Sequence, residues 1–184
     1  MTGQHHAAQA RRVVVGFDDD GRSTIVEDGV TTTRLAGPGN TKCDIWRVPQ
    51  VPAPRVSADV LDGRVITEPP PEGLSVRVVT FPPDSEWDRT QGYADANGRL
   101  PGSVDVAASG GIPGMHSTRS FDILTVISGE MYVQLESSET LLRPGDVLVM
   151  QAGAKHAWSN QTDSTVTVVT VAVSTTDDIV APVA

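Results

Sequence analysis

Cysteine is almost absent from this chain, and so are long apolar runs. Cys43 is the only cysteine among 184 residues, so no internal disulfide can form and a reducing compartment fits. No run approaches the roughly 18 apolar residues of a membrane span, and the first residues, MTGQHHAAQARR, lack the apolar centre of a signal peptide. A soluble, cytoplasmic protein is therefore expected.

Positive charge is also in short supply. The formal net charge is -9 and the sequence pI is about 4.7. Nucleic-acid binding depends on cationic side chains, and an anionic membrane surface attracts them too. Neither is expected as a partner.

No stretch shows a 3.6-residue apolar period over three turns, so helix is at most a minor component. The chain instead predicts one all-β domain over 11–174, with extra N-terminal strands and a DDDG turn that predicts a hairpin. Gly or Pro clusters separate many β-rich runs, at spacings typical of a sandwich or barrel. These runs are RVVVGF (12–17), STIVED (23–28), KCDIWRV (42–48), LSVRVVTF (74–81), FDILTVIS (121–128), EMYVQLE (130–136), TLLRPGDVLVM (140–150) and STVTVVTVAVS (164–174).

Two internal segments do not resemble strands. Residues 49–71 are too rich in proline for a central strand. Residues 84–115 form a long Gly-containing connection, for which a pocket lid and a mobile insertion are equally good interpretations. Residues 1–10 and 175–184 are expected to be loosely held tails.

Histidine is scarce enough for each one to be weighed. His5 and His6 fall in the N-terminal segment and are expected to be solvated. His116 and His156 each lie next to a glycine-bearing turn at a strand end. Either one alone would more often be structural, but their matching contexts predict that they meet in space.

Asp122 is an unusual residue in an otherwise apolar strand. Six residues separate it from His116, which is about 20 Å if the chain is extended, so 117–120 must reverse the chain if the two cooperate. A buried carboxylate needs a partner. A metal ion is one candidate, and turn amides or Arg119 are the others.

Two spaced motifs resemble those of the cupin superfamily. That family's first motif is G, five residues, H-x-H, three or four residues, E, six residues, G; its second is G, five residues, P-x-G, two residues, H, three residues, N. Fifteen residues separate the two motifs here, a spacing typical of small single-domain cupins of the conserved-barrel type. The corresponding positions are Gly110, His116, Thr118, Asp122 and Gly129, then Gly145, Gln151, Gly153, His156 and Asn160; eight agree if Asp122 is allowed for Glu, and Thr118 and Gln151 depart from the motifs.

The resemblance implies a jelly-roll β-barrel, often a homodimer, with one divalent metal ion inside it. Thr118 replaces the family's second histidine and Asp122 its glutamate, which leaves His116, Asp122 and His156 as the implied ligands. Three protein ligands with open positions suit a catalytic site for Zn²⁺, Fe²⁺, Mn²⁺ or Ni²⁺. Asp122, Thr118 and His156 are then the implied catalytic residues.

Three weaker candidates complete the pocket. Trp158 would form a wall or pack, Gln151 would bond a ligand or shape its turn, and Arg119 would meet a carboxylate or stay solvated.

Three functions remain open: a metal-dependent enzyme using Lewis-acid chemistry (lyase, dehydratase, isomerase or polyketide-type cyclase), a non-haem Fe(II) dioxygenase, and a non-catalytic binding cupin. Fold alone does not choose between them.

Overall fold

A computed structural model describes residues 3–92, 104–105 and 111–176, and this part of the chain is built mainly from antiparallel strands. Short 3-10 helices cover Gln4–Ala7 and Asp84–Glu86, and no helix here is long and apolar enough to cross a membrane. The all-β prediction is confirmed. The strands are β1 (Arg11–Phe17), β2 (Ser23–Val30), β3 (Arg34–Ala36), β4 (Thr41–Val48), β5 (Leu74–Phe81), β6 (Val104–Asp105), β7 (His116–Ser117), β8 (Ser120–Ser128), β9 (Met131–Leu135), β10 (Glu139–Leu142), β11 (Val147–Met150), β12 (His156–Ser159) and β13 (Val166–Ser174).

Strands β1 and β2 form a separate two-stranded hairpin, as the DDDG sequence predicted. The Asp18 carboxylate accepts hydrogen bonds from the backbone N–H groups of Asp20 (3.0 Å) and Arg22 (2.8 Å). Gly21 supplies the positive φ, 78°, that closes the turn. The turn is therefore fixed by its own side chains.

The remaining strands form two larger sheets that enclose the core. One has the order β11-β8-β13-β5-β4-β3, and the other has the order β10-β9-β12-β7-β6. Because successive side chains alternate between the faces of a strand, one face of each sheet supplies the interior. The buried core combines both sheets: Val79, Phe81, Leu124, Val126, Val166 and Val168 from the first, and Met131, Val133 and Leu142 from the second. This closed, two-sheet arrangement confirms the predicted barrel.

Gly129 lies where the chain passes from one sheet to the other, between β8 and β9. Its φ is 75°, and a Cβ added there would lie 2.7 Å from the backbone oxygen of Thr165. A side chain at this position would be both strained and obstructed. The motif glycine is thus explained by backbone geometry and close packing.

A buried carboxylate anchors the proline-rich segment, which contains no strand, as predicted. Asp44 is fully buried and binds Arg77 Nε (2.5 Å) and Arg47 Nη2 (2.7 Å). The same guanidinium groups donate to the backbone oxygens of Ile66 and Arg64, each at 2.5 Å. One carboxylate therefore orients the two arginines that hold this segment on the sheet.

The N-terminal segment differs from expectation at His5. That side chain is buried, with a ring nitrogen 2.9 Å from the Gly37 oxygen, while Thr41 Oγ1 donates to the His5 oxygen at 2.7 Å. The prediction that His5 is solvated is wrong, because the 3-10 helix turns its ring onto the 37–41 segment. His6 is exposed, as expected.

The 84–115 connection is fixed at its start. Asp84 accepts hydrogen bonds from Ser159 Oγ (2.7 Å) and from the Asn160 backbone N–H (3.1 Å), and it pairs with Arg89 at 3.2 Å. Residues 93–103 and 106–110, together with 177–184 of the C-terminal segment, lie outside the described residues. The alternatives of lid and insertion therefore stay predictions.

We expect Asp44→Ala to lower the free energy of unfolding by about 3–5 kcal/mol, because two buried guanidinium groups would lose their counter-charge. Urea unfolding followed by circular dichroism measures this loss. Asp28→Ala is the control, since its pair with Arg11 is exposed and should leave the midpoint near that of the wild type. Equal midpoints for the two variants would contradict the anchoring role of Asp44.

Candidate functional site

A cavity of about 150 Å³ lies between the two sheets. Its apolar wall includes Val79, Phe81, Leu124 and Leu148. Its polar wall gathers groups from distant parts of the sequence: Asn40, Lys42, Arg77, His116, Thr118, Asp122 and His156. The combination of an apolar body with a few convergent polar groups is typical of small-molecule sites.

His116 and His156 meet in this cavity, as their sequence contexts predicted. They are register partners on β7 and β12, and their ring centroids are 4.3 Å apart. Nδ1 of His116 lies 2.8 Å from the Gly114 oxygen, and Nδ1 of His156 lies 2.9 Å from the Ala154 oxygen. A carbonyl oxygen only accepts, so each Nδ1 carries the proton and each Nε2 keeps a lone pair. Such a second bond typically fixes the tautomer of a metal-binding histidine.

The same local turn prepares both rings. Gly114 and Gly153, with φ of 78° and 81°, reverse the chain two and three residues before the histidines. The second turn is also tied to the first motif, because the Gly153 N–H donates to the Thr118 oxygen at 2.8 Å. The sequence thus builds two matching turns and joins them.

Asp122 reaches the same cavity from the opposite sheet. The chain changes sheets between β7 and β8, which supplies the change of direction predicted over 117–120. Thr118 Oγ1 donates to Asp122 Oδ2 at 3.1 Å, while Oδ1 is buried without a hydrogen-bond partner in the described part of the chain. An orphaned buried oxygen is costly and marks a place where a ligand would fit.

Burial perturbs all three groups. It lowers the pKa of His116 to about 4, with the neighbouring His156 adding to the effect, and it lowers the pKa of His156. Burial also raises the pKa of Asp122, against the hydroxyl groups of Ser120 and Thr118. Both imidazoles are therefore neutral at pH 7, the form that binds metals.

The three side chains do not stand as a ready-made ligand set. Within the ranges that the structure describes, no group of three or more His, Cys, Asp or Glu side chains is arranged to hold a metal ion. The two imidazole nitrogens converge, whereas Asp122 is engaged by Thr118. The donor chemistry of two neutral imidazoles and one carboxylate fits a divalent ion.

The weaker candidates separate into two groups. Trp158 lines the cavity, with its ring 5.2 Å from that of His156 and 6.3 Å from that of Phe81. Gln151 and Arg119 are exposed and do not line the cavity. The backbone oxygen of Gln151 instead accepts a hydrogen bond from the backbone N–H of Ala154 (3.2 Å). The backbone N–H of Arg119 donates a hydrogen bond to the Glu68 carboxylate (3.2 Å). Their positions support the turn-shaping and solvated alternatives.

Sequence reasoning missed the cationic wall of the cavity. Lys42 on β4 and Arg77 on β5 both line it. Burial, aided by the charge of Arg77 and opposed by Asp44, lowers the pKa of Lys42 to about 7. The sequence did carry a signal for them: Lys42 and Arg77 are charged residues inside predicted strands, and a charged side chain there needs a partner if it is buried, as was argued for Asp122.

Comparisons with known proteins agree with the motifs. Residues 103–172 match the family model described as "Cupin domain". No curated protein matches the chain.

Similar solved structures include a provisional ethanolamine utilization protein Q from Salmonella typhimurium LT2, at 13% identity over 90% of this chain and 97% of that one, with a TM-score of 0.45. KdgF from Halomonas sp. is 15% identical over 78% and 88%, with a TM-score of 0.43. A cupin 2 conserved barrel domain protein from Salinispora arenicola CNS-205 is 15% identical over 76% and 78%, with a TM-score of 0.42. Likenesses this distant say nothing about this chain's substrate. The matched segment contains both histidine-bearing turns, so this part of the chain is similar to a cupin domain.

Proposed function

We propose that this protein is a metal-dependent cupin enzyme acting on a small, oxygen-rich organic molecule. The observation that carries the proposal is the pair of neutral imidazoles, each held through Nδ1 by a backbone oxygen and both lining one cavity. The orphaned oxygen of Asp122 supports it, since a carboxylate on the same cavity supplies a third donor. Two imidazoles and one carboxylate leave positions open for a substrate.

His116 and His156 would hold the ion, with Asp122 as the third ligand. When bound there, a divalent ion supplies Lewis-acid polarisation of a substrate carbonyl or, as Fe(II), oxygen chemistry. Trp158, Phe81 and Leu124 exclude water from one side of the substrate.

Proton handling falls to the Asp122–Thr118 pair. Burial raises the pKa of Asp122 in the metal-free cavity, whereas a bound divalent ion would keep the carboxylate ionised and able to accept a hydrogen bond. The Thr118 hydroxyl, 3.1 Å away, orients the carboxylate and carries a proton to or from a substrate oxygen. This arrangement favours Lewis-acid reactions of the lyase, dehydratase, isomerase or cyclase type.

The Fe(II) dioxygenase and the non-catalytic binder are the alternatives from the same scaffold. Metal analysis of protein purified without a His tag, followed by O₂ uptake with candidate substrates, separates the three. Zinc, nickel or manganese without O₂ uptake supports the proposal; iron with O₂ uptake supports the dioxygenase; no metal supports the binder. A homodimer and a cytoplasmic location are proposed together with this function.

We expect His116→Ala and His156→Ala each to abolish stoichiometric metal binding, because each removes one of two convergent nitrogen donors. Inductively coupled plasma mass spectrometry measures the metal content, and circular dichroism checks that the cooperative melt persists. His6→Ala is the matched control, since that imidazole is exposed. Full metal occupancy in either cavity variant would show that the replaced residue is not a ligand.

We expect Thr118→His to slow metal loss to a chelator, because it restores a donor where the family's motif has a second histidine. Thr118→Val, which removes the hydroxyl group without adding a donor, is the control. The rate of metal transfer to a chromophoric chelator reports the difference. Identical rates for the two variants would mean that position 118 does not face the ion.

Acid should destabilise the metal-free protein through its histidines. The pKa of His116 is about 4 in the folded chain and about 6.5 when unfolded, so between these values the unfolded chain binds more protons. The free energy of unfolding therefore falls as the pH falls through this window. His156 acts in the same direction, whereas the raised pKa of Asp122 opposes it at the acid end.

Urea unfolding in EDTA at about pH 7 and about pH 5 measures this slope. The wild type should lose more stability on acidification than His116→Gln, which has no imidazole to protonate at that position. Parallel pH dependences in the two proteins would refute the assignment.

A further inference from the structure

Lys42 is a cation placed inside the cavity. It lies on β4 opposite Val79 of β5, and it lines the cavity together with Val79 and Arg77. Lys42 and Lys155 are the two lysines of the chain. Lys155 is more than one-third exposed and pairs with Glu136 at 2.7 Å, so the two lysines occupy contrasting environments.

Lys42 forms no ion pair among the described residues, although the charge of Asp44 partly offsets the lowering of its pKa. Its side chain takes part in none of their ion pairs within 4.0 Å or hydrogen bonds. The carboxylate two residues along, Asp44, is already bound by Arg47 and Arg77. An unpaired ammonium group in a cavity costs free energy, which agrees with the lowering of the Lys42 pKa to about 7 by burial first and by Arg77 second.

The cavity wall therefore has the opposite charge to the protein as a whole. The chain carries a formal net charge of -9. Among the described charged side chains that line the cavity, Lys42 and Arg77 are basic and Asp122 is acidic, so basic groups outnumber acidic ones. Asp122 is one of the three proposed metal ligands. A ligand bearing a single negative charge would complement this wall.

We propose that Lys42 is the binding point for a carboxylate group of the ligand, so that the cavity takes small oxo or hydroxy carboxylic acids. A lysine ammonium is a compact point charge, which suits one carboxylate in a cavity of about 150 Å³. Lys42 lines the same cavity as the two imidazoles of the proposed metal site. A carboxylate held at Lys42 thus directs the remaining oxygen atoms of the ligand toward the imidazoles. Binding of a carboxylate at Lys42 does not depend on the proposed function. Only the conversion of that ligand as a substrate rests on it.

The two lysines permit a direct test by NMR. Protein labelled with ¹³C at lysine Cε gives two lysine signals, and Lys42→Met assigns one of them. Metal-free protein is titrated at neutral pH with pyruvate, with the uncharged pyruvamide, and with inorganic phosphate. We expect pyruvate to shift the Lys42 signal saturably, to leave Lys155 unchanged, and to bind about tenfold or more weakly to Lys42→Met by calorimetry. Lys155→Met is the matched control and should bind pyruvate as the wild type does.

Several results would overturn the carboxylate site: no shift of Lys42 at tens of millimolar pyruvate, equal shifts from pyruvamide, or tighter binding of phosphate. Unaltered pyruvate affinity in Lys42→Met would also overturn it. The wild-type titration stands even if that variant fails to fold. Metal content is measured separately on wild-type protein, so a protein without metal that still binds pyruvate at Lys42 contradicts the proposed function alone. If the wild-type protein contains metal but pyruvate does not shift the Lys42 signal, only this inference is contradicted.

Discussion

The pairing of β7 with β12 is the constraint on which the site depends. It sets His116 opposite His156, and the backbone oxygens of Gly114 and Ala154 then fix the same ring nitrogen on both imidazoles. Neither ring would be held in this way alone, because a short strand such as β7 needs a partner to define its register. Burial keeps both rings neutral. The pairing of the two strands thus places two neutral imidazoles, each with a lone pair on Nε2, side by side at one cavity.

Polar groups inside the barrel are stabilised by different means. Asp44 is satisfied by Arg47 and Arg77, which also hold the proline-rich segment, so its role is structural. Asp122 has one oxygen that accepts a hydrogen bond and one that does not, and Lys42 forms no ion pair in the described part of the chain. Buried polar groups are normally paired. The incompletely satisfied groups therefore mark the part of the interior that is arranged for a ligand.

Much of the fold could be predicted from local patterns. Seven of the eight β-rich runs became single strands, the run 140–150 became β10 and β11 with a turn between them, and the proline-rich segment stayed outside the sheets. The histidine contexts pointed to each other because both turns carry the same chemistry, a positive-φ glycine shortly before an imidazole. His5 was misjudged because its burial depends on contact with the 37–41 segment, which no local pattern reports. Lys42 and Arg77 were missed because strand alternation does not say which face of a strand lines a cavity.

The sequence by itself determined the strands and the turns, since these follow from residue-level propensities and backbone sterics, and it carries the motif spacing that resembles a cupin domain. Only the tertiary structure decided that Asp122 is engaged by Thr118, that Gln151 and Arg119 face away from the cavity, and that a lysine faces into it. The physical reason is that orientation and pairing depend on which two sheets close on each other. That closure brings together side chains far apart in sequence, and their burial and charge take effect only there.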